Sequence, residues 1–378
     1  MSGSDVVGSI RRSVVAWNAV GNVDIVAVES DTASASPAGP EGDGVSVITI
    51  AATPENILMF ERTDEAVAAK TRVFYNRRGF ITEADIVLNP FQQFSTDGSY
   101  GTFDLETVIK HELGHLLGLG HSNVAGSLMF DSTAKNGVFG GPETIARDIS
   151  TDDIASLRDL YPEPIDESCC GVISGRLTGS GRQSRSAELW AEDVDSGDVA
   201  AHSVTARDGN FRFGGISIGT YRIFVRPVSK LRDFSVVDLG EITVDPGETR
   251  RISRRLNTRP RNFSIHALGL NGVLGDSNIQ LKPGETYTVF IGGSGLSADS
   301  VLLKINSGFI KMESESITDV VYETPGTTLS FRITVDAMTP SGNYSICGVD
   351  SFGAMDCIAG GITIIRLAKA KLPPDLQD

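Results

Sequence analysis

The stretch HELGHLLGLGH, residues 111 to 121, holds three of the chain's five histidines. It constrains the fold because its two halves ask for different backbones. His111 and His115 are four apart, the spacing that stacks two side chains on one helix face. His121 can join them only if the helix stops and the chain turns sharply. Gly118 stands where a helix-ending glycine adopts the left-handed conformation without steric cost, and Gly120 adds freedom beside it. Upstream, DLETVIK offers Asp104 at the helix start. Leu105, Val108, Ile109, Leu113, Leu116 and Leu117 form its apolar side. The expectation is a helix that ends in a turn and brings three imidazoles together.

Those residues suit a zinc ion. Zinc takes imidazole nitrogen at about 2.0–2.1 Å, and a catalytic site keeps one position for water. His111, His115 and His121 are the candidate ligands. Glu112, next to the first, is the candidate general base, placed to take a proton from a water that the metal acidifies. A core helix has little use for three imidazoles and a carboxylate among leucines, since each needs a polar partner.

The segment resembles the zinc signature of the metzincin metallopeptidases, most closely the matrixin branch that contains the matrix metalloproteinases. Ser122 follows the third histidine as in matrixins. SLMF puts Met129 eight positions after His121, the spacing of the methionine turn that floors the metal site. ISTDDIASLRDLY resembles the helix that closes the matrixin catalytic domain, and ITEADIVLNP a strand with an ADI core. The resemblance covers roughly residues 5 to 162. It implies one catalytic zinc and peptide-bond hydrolysis in protein or peptide substrates laid along a sheet edge.

Departures from the matrixin pattern limit what carries over. No histidine precedes His111, so a second, structural zinc is not expected. Calcium is left unassigned: Asp97, Asp104 and Glu106 read more simply as turn and helix-cap residues. No cysteine precedes the catalytic helix, so a cysteine-switch propeptide is not expected here. Phe130 and Asp131 follow Met129 in place of a nearby tyrosine, which leaves oxyanion stabilisation to the zinc and backbone donors. Matrixin catalytic domains open with a strand, whereas this sequence opens almost in a helix. The expectation is that this strand, any propeptide and any export signal lie outside it.

Elsewhere in the first 162 residues, Val7, Ile10, Val14 and Trp17 fall at helical spacing, with Ser4 or Asp5 as N-cap. VDIVAVES, GVSVITIA and ADIVLNP read as strands, and STDDIASLRDLY as a helix with a Ser/Thr cap. From about residue 171 the pattern becomes short alternating strands between Gly, Asp and Ser turns. GVISGRLTG and the run from Asp208-Gly209 through Phe211, Phe213, Gly219 and Tyr221 resemble the carboxypeptidase-regulatory, transthyretin-like β-sandwich. A second all-β module after it is generically immunoglobulin-like. His202 and His266 fall in these modules as ordinary surface or structural residues, and RRISRRL as a solvated strand or linker. Cys347 and Cys357 can face each other across a hairpin, as a disulfide or as two free thiols. The adjacent Cys169 and Cys170 are not expected to bond each other.

The whole reads as a multidomain chain: an α+β (α/β/α) metzincin-type domain followed by two all-β sandwiches. Boundaries fall at 1–163, a linker at 164–170, sandwiches at 171–257 and 258–367, and a disordered tail at 368–378. A net charge of −15 and the absence of a basic stripe exclude nucleic acid and anionic membrane as natural partners. No stretch approaches the roughly 20 apolar residues of a membrane span. The expected protein is a secreted or cell-surface zinc endopeptidase, its sandwiches free to bind a surface polysaccharide or protein. The competing reading is an adhesion or carbohydrate-binding protein with an inactive metzincin domain.

Overall fold

A computed structural model describes residues 5–61, 67–138, 147–162, 169–179, 186–227, 234–257, 259–276, 278–321 and 326–365. The tail at 368–378 and most of the expected linker lie outside the described residues.

The N-terminal part runs α1 (Val6–Asn18), β1 (Ile48–Thr49), α2 (Pro54–Leu58), β2 (Ala69–Tyr75), β3 (Ile81–Leu88), β4 (Phe94–Ser95), β5 (Phe103–Asp104), α3 (Leu105–Leu116) and α4 (Thr151–Leu160). Asp5 caps α1 by accepting from the Gly8 amide, and Asp104 caps α3 by accepting from Thr107. At α4 the expected Ser150 cap makes no such bond. Its hydroxyl instead donates to Asp153 at 2.5 Å. Three strands form a sheet in the order β1-β3-β2, with β3 parallel to β1 and antiparallel to β2. β2 is therefore an edge. The sheet, α1 and α3 close on one core that includes Trp17, Ile86, Ile109, Leu113, Met129 and Leu157. Trp17 ties α1 to α3 through its indole N–H, which donates to the Lys110 carbonyl at 2.9 Å.

Two expected strands differ. VDIVAVES at 23–30 is extended but joins no ladder among the described residues, and its Val26 and Val28 are exposed. Of GVSVITIA only Ile48–Thr49 pairs. Alternating apolar side chains favour a pleated surface, but a strand exists only where a neighbouring edge supplies its hydrogen bonds.

The remainder is β-rich. The strands β6 (Gly171–Thr178), β7 (Glu188–Asp193), β8 (Val199–Val204), β9 (Asn210–Ile216), β10 (Gly219–Arg226), β11 (Val237–Val244) and β12 (Thr249–Arg255) form two sheets, β11-β10-β7-β8 and β12-β6-β9. Ile173, Phe213, Leu189 and Ile223 from the two sheets share one core. β12 carries RRISRR as an almost wholly exposed edge strand. The last strands are β13 (Ser264–Leu270), β14 (Val273–Gly275), β15 (Ile279–Leu281), β16 (Thr286–Ser294), β17 (Val301–Ile305), β18 (Ile310–Val320), β19 (Thr327–Val335), β20 (Gly342–Asp350) and β21 (Met355–Ile364). They form sheets β14-β13-β16-β19-β18 and β15-β21-β20-β17 around a second core.

Cys347 and Cys357 are opposite each other on β20 and β21 and are bonded. Cys169 and Cys170 are also joined, contrary to the expectation for neighbours, just before β6. No helix among the described residues is long and apolar enough to cross a membrane.

Candidate metal centre

The three histidines converge. α3 carries His111 and His115 one turn apart, and after the C-cap Leu117 the backbone reverses at Gly118, whose φ is +95°. The Gly118 and Leu119 amides bond the carbonyls of His115 and Gly114, closing the helix end. Two residues on, His121 comes back over the first two rings, with centroids 5.4 Å from His111 and 4.8 Å from His115. One ring nitrogen from each histidine lies within 4.8 Å of the others, and among the described residues no other cluster of metal-binding side chains does this.

The hydrogen bonds show that these rings suit a metal. The Nδ1 of His111 lies 2.8 Å from the Leu128 carbonyl, and that of His115 lies 2.9 Å from the Leu119 carbonyl. A carbonyl only accepts, so each Nδ1 carries the ring proton and each Nε2 is left with its lone pair. The two Nε2 atoms face each other at 3.1 Å. Burial pushes the His111 imidazole down to about 4 and lowers His115 as well, so both are neutral at physiological pH. Two lone pairs aimed at one point repel unless a cation lies between them. The donor set therefore fits zinc, which is bound by neutral imidazole.

Glu112 points into the same cleft, almost fully buried. Burial pushes its carboxyl up to about 7, against the opposing effect of a 2.5 Å hydrogen bond from the Thr71 hydroxyl on β2. The cleft has a volume of about 1030 Å³ and runs between β2 and the 118–121 turn, closed on one side by Asp131, Ser132 and Thr133. Met129 is fully buried, its sulfur against Gly114 of α3 and its amide held by the Asp153 carboxylate at 3.1 Å. The Met129 carbonyl accepts from the Ser122 amide at 2.8 Å, which anchors the chain directly after His121.

The comparisons with known proteins meet this geometry. Residues 55–162 match the family model described as matrixin. The chain contains a matrixin domain. Metalloendoproteinase 1-MMP of Arabidopsis thaliana is 44% identical over 62 residues, which is 16% of this chain and 15% of that protein. Metalloendoproteinase 1 of Glycine max is 44% identical over 59 residues, 16% of this chain and 17% of that protein. Karilysin of Tannerella forsythia is 39% identical over 87 residues, 23% of this chain and 16% of that protein. The chain thus spans about a sixth of the length of these relatives. Among solved structures, the major pilin subunit of Bacillus cereus aligns over 53% of the chain and 70% of its own, at 13% identity and a TM-score of 0.22, too loose a superposition to define a shared fold.

Asp97, Asp104 and Glu106 are engaged within the protein. Asp97 holds the Ser99 amide and hydroxyl in a turn. Asp104 pairs with Arg147 at 2.6 Å, and Glu106 is flanked by Arg12 at 2.7 Å and Lys110 at 3.0 Å. None of the three joins a metal-binding cluster among the described residues, so calcium gains no support. Sequence reasoning missed Thr71 and Gly114. A Cβ at Gly114 would come within 2.3 Å of the Met129 sulfur, so the residue between the base and the second ligand has to be glycine for that methionine to pack. Thr71 gave no signal, since strand hydroxyls are common. His266 is exposed on β13, whereas His202 is largely enclosed on β8 beside Asp152, the structural alternative of the same expectation.

Proposed function

We propose that the chain is a secreted zinc-dependent endopeptidase in which His111, His115 and His121 hold one zinc ion and Glu112 is the general base. The observation that carries this reading is the pair of unprotonated Nε2 atoms at 3.1 Å beside a buried carboxylate. Zinc bound there supplies Lewis acidity to a scissile carbonyl and acidifies a water. Glu112 takes the proton of the attacking water on its carboxylate oxygen, then returns it to the amine nitrogen as the C–N bond breaks. Thr71 holds that carboxylate toward β2.

The open edge of β2 suits a protein substrate. An extended peptide can add to it by backbone hydrogen bonds and present its scissile bond to Glu112. Oxyanion stabilisation falls to the metal and backbone donors, since Phe130 and Asp131 supply no hydroxyl. Two disulfides suit an oxidising compartment, which supports export. The β-rich remainder is the part suited to a surface polysaccharide or protein ligand. The competing reading, adhesion by an inactive relative, gains nothing from a site that keeps all three histidines and the carboxylate.

Purified protein should bind one equivalent of zinc and cleave casein, and chelation should abolish cleavage. Glu112→Ala should retain zinc and lose activity by several orders of magnitude. Wild-type rates in that variant would remove Glu112 from the mechanism, and a wild type that binds no zinc would overturn the site itself.

A further inference from the structure

His111 and His115 are held by a helix, whereas His121 stands on a loop. What fixes that loop comes largely from the β-rich remainder. α4 is shared between the two parts, and its Ala155 lies in the core formed by Ile173, Leu189 and Phe213. On the same helix, Asp152 accepts the Ser122 hydroxyl at 2.7 Å, one residue after His121. His202 on β8 faces that carboxylate, its Nδ1 3.4 Å from the Asp152 Oδ2. The 3.4 Å contact is an ion-pair distance without hydrogen-bond alignment. Two residues further along the loop, fully buried Val124 packs with Trp190, Val199, Phe224 and Ala359, and the Ala125 amide donates to the Ala359 carbonyl at 2.8 Å.

We propose that the β-rich remainder steadies the metal centre, with His202 as a positioning residue that fixes the His121 loop through the Asp152–Ser122 pair. This rests on the reading of His111, His115 and His121 as zinc ligands. A ligand on a loop loses conformational freedom when the metal binds, and prior fixing lowers that cost. His202 supplies it from outside the matrixin segment, so metal retention depends on a sandwich that makes no contact with the ion. His202 also lines a 220 Å³ cavity beside Gly118 and Gly120. Truncating it opens its space into that cavity and leaves no sealed void, so the expected loss of stability is small.

The test uses the full chain loaded with zinc, and separately with cobalt(II) as a spectroscopic substitute. His202→Ala should release zinc to a chelator roughly 10–100-fold faster than wild type and alter the visible cobalt spectrum. His202→Gln, which keeps a donor toward the Asp152 carboxylate, should restore both at least in part. Arg212→Ala breaks the pair with Asp159 at 2.7 Å on the same junction, and none of the hydrogen bonds or ion pairs shown for Arg212 among the described residues reaches the ligand loop. It should lower the melting temperature and leave release rate and spectrum unchanged. If His202→Ala does not fold, Ser122→Ala reads the same linkage from the loop side, and fast release is again expected. Wild-type release and spectrum in His202→Ala, or equal changes in Arg212→Ala, would overturn the proposal. A wild type that binds neither metal would instead fail the underlying zinc reading.

Discussion

The sulfur of Met129 occupies the space that any side chain at Gly114 would need, with 2.3 Å between it and an ideal Cβ. Helix propensity alone favours Gly114→Ala by up to about 1 kcal/mol. The steric cost is larger, because the contact lies in a packed core where overfilling costs about 1–3 kcal/mol. Gly114→Ala should therefore lower the melting temperature and weaken zinc binding by displacing Met129, whose carbonyl anchors the Ser122 amide directly after His121. Gly120→Ala is the matched control, since a Cβ there meets nothing within 4 Å. Calorimetry and zinc titration on both variants check the contrast, and a neutral Gly114→Ala would remove Met129 from the support of the site.

Gly118 makes a different demand. Its φ of +95° lies where L side chains are strained, although the space around it is adequate, with Ile81 at 3.4 Å from an added Cβ. Gly118→Ala should cost roughly 1–2 kcal/mol of stability through backbone strain. It should also weaken zinc binding, because the turn sets the path to His121. Isothermal titration with zinc measures this, and unchanged affinity would show that the loop finds another route.

These two glycines show what sequence could reveal. Gly118 was legible because helix termination is local: a glycine after a leucine-rich turn has one main structural use. The spacing of His111, His115 and His121 and the cap at Asp104 were legible for the same reason. Gly114 looked like an ordinary x in the motif, since its constraint comes from Met129, fifteen residues on in a separate loop. The segment 23–30 was misread because alternation reports a pleated preference and not the presence of a partner edge. His202 reads from sequence as an ordinary surface or structural residue with no partner named, because Asp152 lies in another part of the chain. Pair contacts at long range leave no periodic trace.

Thr71 is predicted to affect catalysis without affecting metal content. Its hydroxyl donates to the Glu112 carboxylate at 2.5 Å and also lies 3.2 Å from the Glu112 backbone carbonyl. Thr71→Val keeps the shape of β2 and removes the donor that orients the base. A misplaced base slows proton transfer, on the order of 10- to 100-fold for a displacement near 1 Å. The expected outcome is a lower kcat with zinc stoichiometry and KM near wild type. A normal kcat would mean that the bound metal and substrate alone orient Glu112.

The junction between α4 and the sandwiches should weaken as pH rises. Asp198 is half-buried there, accepting the Thr151 hydroxyl at 2.6 Å and the Asn343 backbone amide at 2.6 Å. Burial pushes its carboxyl from 3.8 up to about 7, and the neighbouring Asp152 and Asp193 add to the rise. The folded state thus binds the proton more tightly than the unfolded chain. The stability this gives is fully present below about pH 4 and is lost as pH rises toward 7. Asp153, raised to about 7 by burial and by Asp152, contributes in the same direction. Melting temperature should fall between pH 5 and pH 8, and Asp198→Asn should flatten that slope without abolishing it, because Asp153 remains. Each kcal/mol corresponds to about 2–4 °C in a region of this size, within reach of calorimetry. Equal slopes in wild type and Asp198→Asn would show that Asp198 is ionised in the folded protein throughout this range.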